Sequence, residues 1–559
     1  MERPWLANYP KEVPPSLEYP TIPLFALLDE SARRFPDHPA LIYYGRRITY
    51  RELKELTEAF AAALYALGVH SGDRVSLNLP NIPQFAIALY GTLRLGAIVV
   101  QTNPMYTERE LVELVHDSGA ETMVALDLLA PRVEAVRLQT GLKRVIYTGV
   151  QDFLPPVKRA LYPVKALLEG KRVVRPTGPE TYDFNELLRR YRGQRAPEVS
   201  LDPEDDVALL QYTGGTTGTP KGAMLTHKNL VANALQVKAW YIRAEEGKEK
   251  TLAVLPFFHV YGMTVALNLS VALAAAIILV PRFQIDEVLG IIKRYQPTMF
   301  PGAPTIYVAF NNHPHVRKYN VGSIKECISG SAPLPVEVKK QFEELTGGRL
   351  VEGYGLSEAS PVTHANPLDG RDIPGSIGLP LPDTDAKIVD PESGAELDVG
   401  EVGELVVRGP QVMKGYWRRP EETERVLKGG WLHTGDIARM DEQGYFYIVD
   451  REKDVIIASG YNVYPREVEE VLYQHPGVEE AAVIGVPDPY RGETVKAFIV
   501  PRPGAELDAE ELIEFCRERL ARYKVPKLIE FRESLPKSAV GKVLKRELRA
   551  EELRKLEQK

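Results

Sequence analysis

The chain has 559 residues, 44% hydrophobic and 26% charged, with a formal net charge of −7 and two cysteines. That length supports several domains with a large core, nothing in the global charge suggests nucleic acid, and the acidity favours solubility. Cys327 and Cys516 alone make no disulfide framework, which points to a reducing cytosol, and no zinc-type Cys/His cluster is present in the sequence.

The N-terminal MERPWLANYPKEVPPSLEYP lacks the basic-then-apolar layout of a signal peptide. ALIYYGRRITY (40–50) predicts a hairpin around Gly45, and Thr49 with Glu52 fits a capping box. Leu53, Leu56, Phe60, Leu64 and Leu67 then mark the buried face of a helix that Gly68 ends. Strand-like and helix-like runs alternate from Arg74 to Ala125, which predicts an α/β domain with a largely parallel sheet. Residues 152–175 break the rhythm. Pro155, Pro156 and Pro163 predict short helical fragments rather than one helix. Lys158, Arg159, Lys165, Lys171, Arg172 and Arg175 make the segment basic among apolar side chains. It reads as a solvated insertion or as a surface for anionic membrane.

YTGGTTGTPKG, from Tyr212 to Gly222, concentrates Gly, Thr and Lys as no other stretch does. It follows the strand-like run 207–212, and Thr226 is placed to cap the helix after it. Glycines let backbone N–H groups approach an anion, Thr213, Thr216, Thr217 and Thr219 add hydroxyls, and Lys221 adds charge. Pro220 before the lysine and Gly222 after it exclude the Walker pattern. The loop resembles the phosphate-binding signature of the adenylate-forming superfamily, which contains acyl-CoA synthetases, luciferases and peptide-synthetase adenylation domains. Within it the similarity is greatest to bacterial long-chain fatty acid–CoA ligases.

Further stretches follow in the family's order. LPFFHVYG (255–262) precedes the apolar run 264–280, which reads as a buried helix and then a strand, being short for a membrane span. PGAPT (301–305) and SGSAPL (329–334) are small-residue turns after apolar runs, where open α/β sheets hold ligands. VEGYGLSE (351–358) joins glycines to an aromatic face, a hydroxyl and a carboxylate. A β-rich region from Gly375 contains GWLHTGD (430–436) between strand-like runs. A compact α/β unit follows and ends in the turn PKSAVGK (536–542).

The resemblance implies a large N-terminal domain of α/β sheets with a β-rich subdomain, residues 1–450, and a small mobile α+β domain, residues 451–559. ATP would be held by Thr213, Gly214, Gly215, Thr216, Thr217, Gly218, Lys221, Gly330, Ser331, Ala332, Glu352, Gly353, Tyr354, Gly355, Asp436 and Arg451. Lys542, Glu358 and Ser357 would be catalytic, with Mg²⁺ at Glu358 and Thr213. His259, Tyr261 and Gly302 would border the acyl group, Gly460 and Tyr461 the pantetheine of CoA, and Lys453 would be the hinge. Gly429 and Ala438 depart from the fatty acyl-CoA synthetase signature, while Ile457, where luciferase-like members carry Lys, favours fatty acyl substrates. The expected activity is ATP- and CoA-dependent ligation of a long-chain fatty acid. An aryl or medium-chain ligase and an inactive membrane adaptor are the competing readings. A cytoplasmic location, peripheral contact with the inner face of the membrane through 152–175, and a homodimer are the remaining expectations.

Overall fold

The computed structural model describes every residue except 1–2, 169–174, 214–219, 452–453, 459–460, 489–491, 540 and 558–559. One sheet runs in the order Gly415–Tyr416, Lys221–Thr226, Val207–Thr213, Ile98–Gln101, Arg74–Asn78, Thr122–Leu126, Arg144–Thr148, Thr181–Asp183. It is parallel from Val207–Thr213 onward, and the strands on either side of the Gly/Thr stretch form an antiparallel hairpin. Val99, Val100, Val124 and Ile146 are fully buried, as expected of parallel strands covered on both faces by helices.

A second sheet runs Arg46–Thr49, Pro39–Tyr43, Ala276–Leu279, Lys250–Ala253. Parallel bridges through Met299 connect it to Glu326–Ser329, Arg349–Gly355, Val362–Ala365 and Leu379–Pro380. A third, antiparallel sheet contains Asp385–Val389, Gly403–Arg408, Trp431–Met440, Leu427–Lys428 and Phe446–Arg451. The strands Tyr461–Val463, Ile456–Ala458, Gly492–Pro501, Val478–Asp488 and Leu528–Phe531 make a fourth. Its own core includes Val468, Leu472, Val483, Ala497, Leu512 and Cys516. The fold is therefore mixed α/β, with a large N-terminal and a smaller C-terminal domain.

Local expectations mostly hold. The 40–50 hairpin forms, with Gly45 at φ +109°. Thr49 accepts from the Glu52 N–H at 3.1 Å, but the reciprocal half of the box is missing, because the Glu52 carboxylate pairs with Arg46 at 3.0 Å. Thr226 caps the helix His227–Trp240 in a complete box with Asn229. The apolar run near 264 is a buried helix containing a π-helical stretch, Met263–Asn268, followed by the buried strand Ala276–Leu279. Among the described residues no helix is long and apolar enough to cross a membrane.

Three expectations are corrected. Residues 156–168 form one helix, Pro156–Leu168, rather than fragments. Pro156 sits at its first position, where no N–H is needed, and the backbone continues helically through Pro163 at the loss of one hydrogen bond. Arg175 is no surface cation, since Asp127, Asp152 and Asp183 surround its guanidinium. Residues 430–436 are not a connection between strands. All but Gly430 lie within Trp431–Met440, where Gly435 at φ +68° lets the strand bend.

Candidate active site

Three groups of side chains surround the motifs singled out above, and one of them includes a turn of the small domain. The first is on Arg349–Gly355 and Trp431–Met440. The Tyr354 hydroxyl donates to Asp436 at 2.5 Å, and Asp436 is 5% exposed. Glu404 fixes the backbone there, accepting from Gly435 N–H at 3.0 Å while pairing with His433 at 2.7 Å. Arg451 pairs across the ladder with Asp436 through the backbone. Gly355 has a steric reason to be glycine, because a Cβ there would lie 2.0 Å from the Pro361 carbonyl oxygen.

The second group is at the Gly/Thr hairpin. Gly214, Gly215, Thr216, Thr217 and Gly218 lie outside the described residues, but Thr213 and Lys221 stand on the flanking strands. The Lys221 ammonium lies 5.4 Å from the Tyr416 ring, and the Tyr416 hydroxyl donates to Glu358 at 2.7 Å. Burial lowers the Lys221 pKa against the opposing pull of Glu358. Lys221 also pairs with Glu422. Ser357 opens the short helical turn that carries Glu358. Beneath the hairpin, Tyr212 donates to Asp117 at 2.7 Å, and Arg419 pairs with the same carboxylate at 2.6 Å.

The third group is at the expected acyl end. His259 Nδ1 accepts from Tyr261 N–H at 3.2 Å. Burial, with the positive charge of Lys542 beside it, holds His259 down at about 4, so the ring is neutral at pH 7. Lys542 thus lies near His259. A Cβ on Gly541, at φ +78°, would meet Thr305 Oγ1 at 2.3 Å, so the small domain's turn rests on the 301–305 turn.

The Tyr261 hydroxyl is engaged by the protein, within 3.1 Å of the Gly302 carbonyl and 3.0 Å of the Ile328 carbonyl. A Cβ on Gly330 would come 2.8 Å from the Tyr261 ring, and one on Gly302 equally close to Tyr307. These glycines therefore make room for aromatic rings. Ser331 adopts φ +70°, a strained value for a residue with a side chain, and Ala332 follows it in the turn. Met263 is fully buried in the main core.

Glu352 is turned inward. Its carboxylate accepts from Leu334 N–H at 3.2 Å and faces Arg466 of the small domain at 3.4 Å. Burial raises its pKa to about 7, with Arg466 opposing that rise. Arg466, Tyr416, Glu404 and Glu422 were not singled out from the sequence, because isolated charged and aromatic residues carry no motif. Lys453 and Gly460 lie outside the described residues, and Tyr461 begins the strand Tyr461–Val463. Ile457 is 56% exposed on the small domain's sheet.

The hydroxyl–carboxylate pair, the lysine–glutamate corner and the small domain's lysine are connected through neighbouring turns, an arrangement suited to activating a carboxylate with a nucleotide. The chain belongs to the AMP-binding enzyme family: the family's model matches residues 28–417, and that of the AMP-binding enzyme C-terminal domain matches 467–542. Among its relatives, a long-chain-fatty-acid–CoA ligase of Bacillus subtilis is 51% identical over 99% of this chain and 98% of its own. One from Escherichia coli O157:H7 is 43% identical over the whole of both chains. The structure resembles that of the anthranilate CoA ligase AuaEII in complex with anthranoyl-AMP, with a TM-score of 0.86, 27% identity, and coverage of 96% of this chain and 98% of that one. It also resembles ATP-bound MatB from Rhodopseudomonas palustris, with a TM-score of 0.82, 32% identity, and coverage of 94% and 98%. Against apo MatB the TM-score is 0.74.

Proposed function

We propose that the protein is an ATP-dependent long-chain fatty acid–CoA ligase. In the first step a fatty carboxylate oxygen attacks the α-phosphorus of ATP, pyrophosphate leaves, and acyl-AMP forms. In the second, the CoA thiol attacks the acyl carbon and AMP leaves. The observation that carries this reading is Lys542, set by the small domain beside His259 and the 301–305 turn. The full-length similarity to ligases of that name supports the fatty acyl substrate.

The chain's own groups account for the first step through positioning and charge. Tyr354 and Asp436 suit a base and a ribose, an aromatic face beside an acceptor carboxylate. Lys221, now paired with Glu422, would exchange that partner for the β- and γ-phosphates. Lys542 supplies positive charge where the carboxylate and α-phosphate react. Neutral His259 keeps a second cation out of that corner. Among the described residues no group of three or more His, Cys, Asp or Glu could hold a metal ion. Glu358 and Thr213 nonetheless offer hard oxygens that suit Mg²⁺ carried in on ATP phosphates, where it would offset their charge. We place the domain division at 450/451, with rotation about Lys453 between the steps.

A second surface belongs to this reading. On helix Pro156–Leu168, Val157 and Leu161 are 72% and 61% exposed and one turn apart, beside exposed Lys158 and Arg159. This stripe fits the surface of an anionic membrane, a source of fatty acid.

Pyrophosphate exchange into ATP, measured across aryl, medium-chain and long-chain acids with Mg²⁺, tests the function. Exchange that rises with chain length and CoA-dependent release of AMP are expected. Exchange only with aryl or medium-chain acids would reassign the substrate, and no exchange with any acid would remove the enzyme reading.

A further inference from the structure

The small domain grips the large one through a side chain that none of the roles above requires. Arg466 lies at the start of helix Pro465–Tyr473, and its side chain is 8% exposed. Its guanidinium spreads over four acceptors. Nε donates to Glu470 at 3.1 Å, and one terminal nitrogen donates to the Ile448 carbonyl at 3.0 Å. The other lies 3.4 Å from both Glu352 and the Gly375 carbonyl. Its backbone N–H donates to Asp450 at 3.1 Å. One planar fork thus ties the small domain's helix to the Arg349–Gly355 strand, the Phe446–Arg451 strand and the 375 turn.

The same helix holds the lysine turn. Glu469, three residues on, pairs with Lys545 at 2.8 Å and accepts from Val483 N–H at 2.7 Å. Lys545 begins the last helix, three residues beyond Lys542. The turn itself is stiffened by Ser538 and Lys542, whose backbones are joined at 2.7 Å, while Ser538 Oγ accepts from Lys542 N–H at 3.1 Å. Glu352 is thus tied to Arg466, and Glu469 on the same helix is tied to Lys545, three residues from Lys542 in the chain. On the other side, Glu352 accepts from Leu334 N–H, so the grip also reaches the 330–334 turn.

We propose that Arg466 is a positioning residue for acyl-AMP formation: by closing on Glu352 it seats the small domain so that Lys542 reaches the reacting carboxylate, and it steadies the 330–334 turn. The inference rests on the ligase reading given above. Removing either partner leaves the other buried without its ion-pair partner in this arrangement. On this proposal the arrangement that serves CoA makes no use of the contact. The ionisable groups facing the pair are Glu470 on the same helix, Asp450 on the Phe446–Arg451 strand, and Glu352 itself. Burial pushes the Glu352 carboxyl up to about 7, with Arg466 opposing that rise.

The test uses the full-length enzyme with Arg466→Gln, Arg466→Lys, Glu352→Gln and the Arg466→Gln/Glu352→Gln double variant. Single-turnover acyl-AMP formation is measured separately from thioester formation on supplied acyl-AMP. Each Gln variant should slow the first step ten-fold or more, and the double variant should be no slower than the worse single. Thioester formation should be unchanged or faster in Arg466→Gln, and Arg466→Lys should recover part of the loss. Equal loss in both steps, additive losses in the double variant, or a wild-type first step in Arg466→Gln would overturn the proposal. Hydrogen exchange reads the grip without catalysis. The Leu334 amide should exchange at least ten-fold faster in Arg466→Gln, or in Arg466→Lys if the former does not fold, and unchanged protection would overturn the role. A wild type that forms no acyl-AMP would sink the ligase reading, and the exchange measurement would still decide the grip.

Discussion

Lys542 shows how one side chain takes its chemistry from where the fold puts it. By sequence it is a lysine near a chain end, in a turn that Gly541 allows. In the structure its charge helps hold His259 neutral, and its turn rests on Thr305. Lys542→Ala should slow acyl-AMP formation by roughly 10²–10³-fold, the usual loss for one transition-state donor. Thioester formation from supplied acyl-AMP should persist, and single-turnover assays of the two steps read the difference. Equal loss in both steps, with folding intact by circular dichroism, would count against this assignment. Lys221 differs in kind. Its loss should appear mainly in the KM for ATP, by roughly 1.5–3 kcal/mol for a charge-assisted contact.

At the scale of elements, helix His227–Trp240 couples the Gly/Thr hairpin to the N-terminal segment. His227 Nδ1 accepts from Leu24 N–H at 3.1 Å, and burial lowers its pKa from 6.5 to about 4. The unfolded chain therefore binds this proton first. The site's stability is intact above pH 6.5, falls as pH drops toward 4, and changes no further below that. The shift corresponds to roughly 3 kcal/mol over the window. Melting temperature measured against pH should show this slope, and His227→Asn, which keeps an acceptor for Leu24, should flatten it. Helix Pro156–Leu168 makes a separate claim. Co-sedimentation with anionic vesicles should weaken with salt and on replacing Lys158 and Arg159 with Gln, and further on replacing Val157 and Leu161 with Ser. Unchanged binding in both variants would leave the helix a solvated insertion.

Across the whole molecule, the site is divided between two domains with separate cores. The groups proposed to face the nucleotide sit on the large domain's strands, and Lys542 belongs to the small one. Arg466 and Glu352 lie on that seam, 114 residues apart. Any pH or salt effect on their contact should therefore appear as a change in the balance between the two half-reactions.

Local order determined much of this from the sequence. Alternating apolar runs, the cap at Thr226 and the glycine turns define elements through short-range sterics and hydrogen bonding, which neighbours in the chain specify. The Gly/Thr stretch, Glu358, Asp436 and Lys542 could be proposed from the sequence because each sits in a contiguous motif. Tertiary structure alone decided which acceptors the long side chains reach. It turned Glu352 inward to Arg466, drew Arg175 into a ring of carboxylates, and engaged the Tyr261 hydroxyl with backbone carbonyls. It also let helix Pro156–Leu168 run through Pro163, where one lost hydrogen bond is a small part of the helix's total. Burial and charge pairing depend on groups far apart in the chain, and no local pattern encodes them.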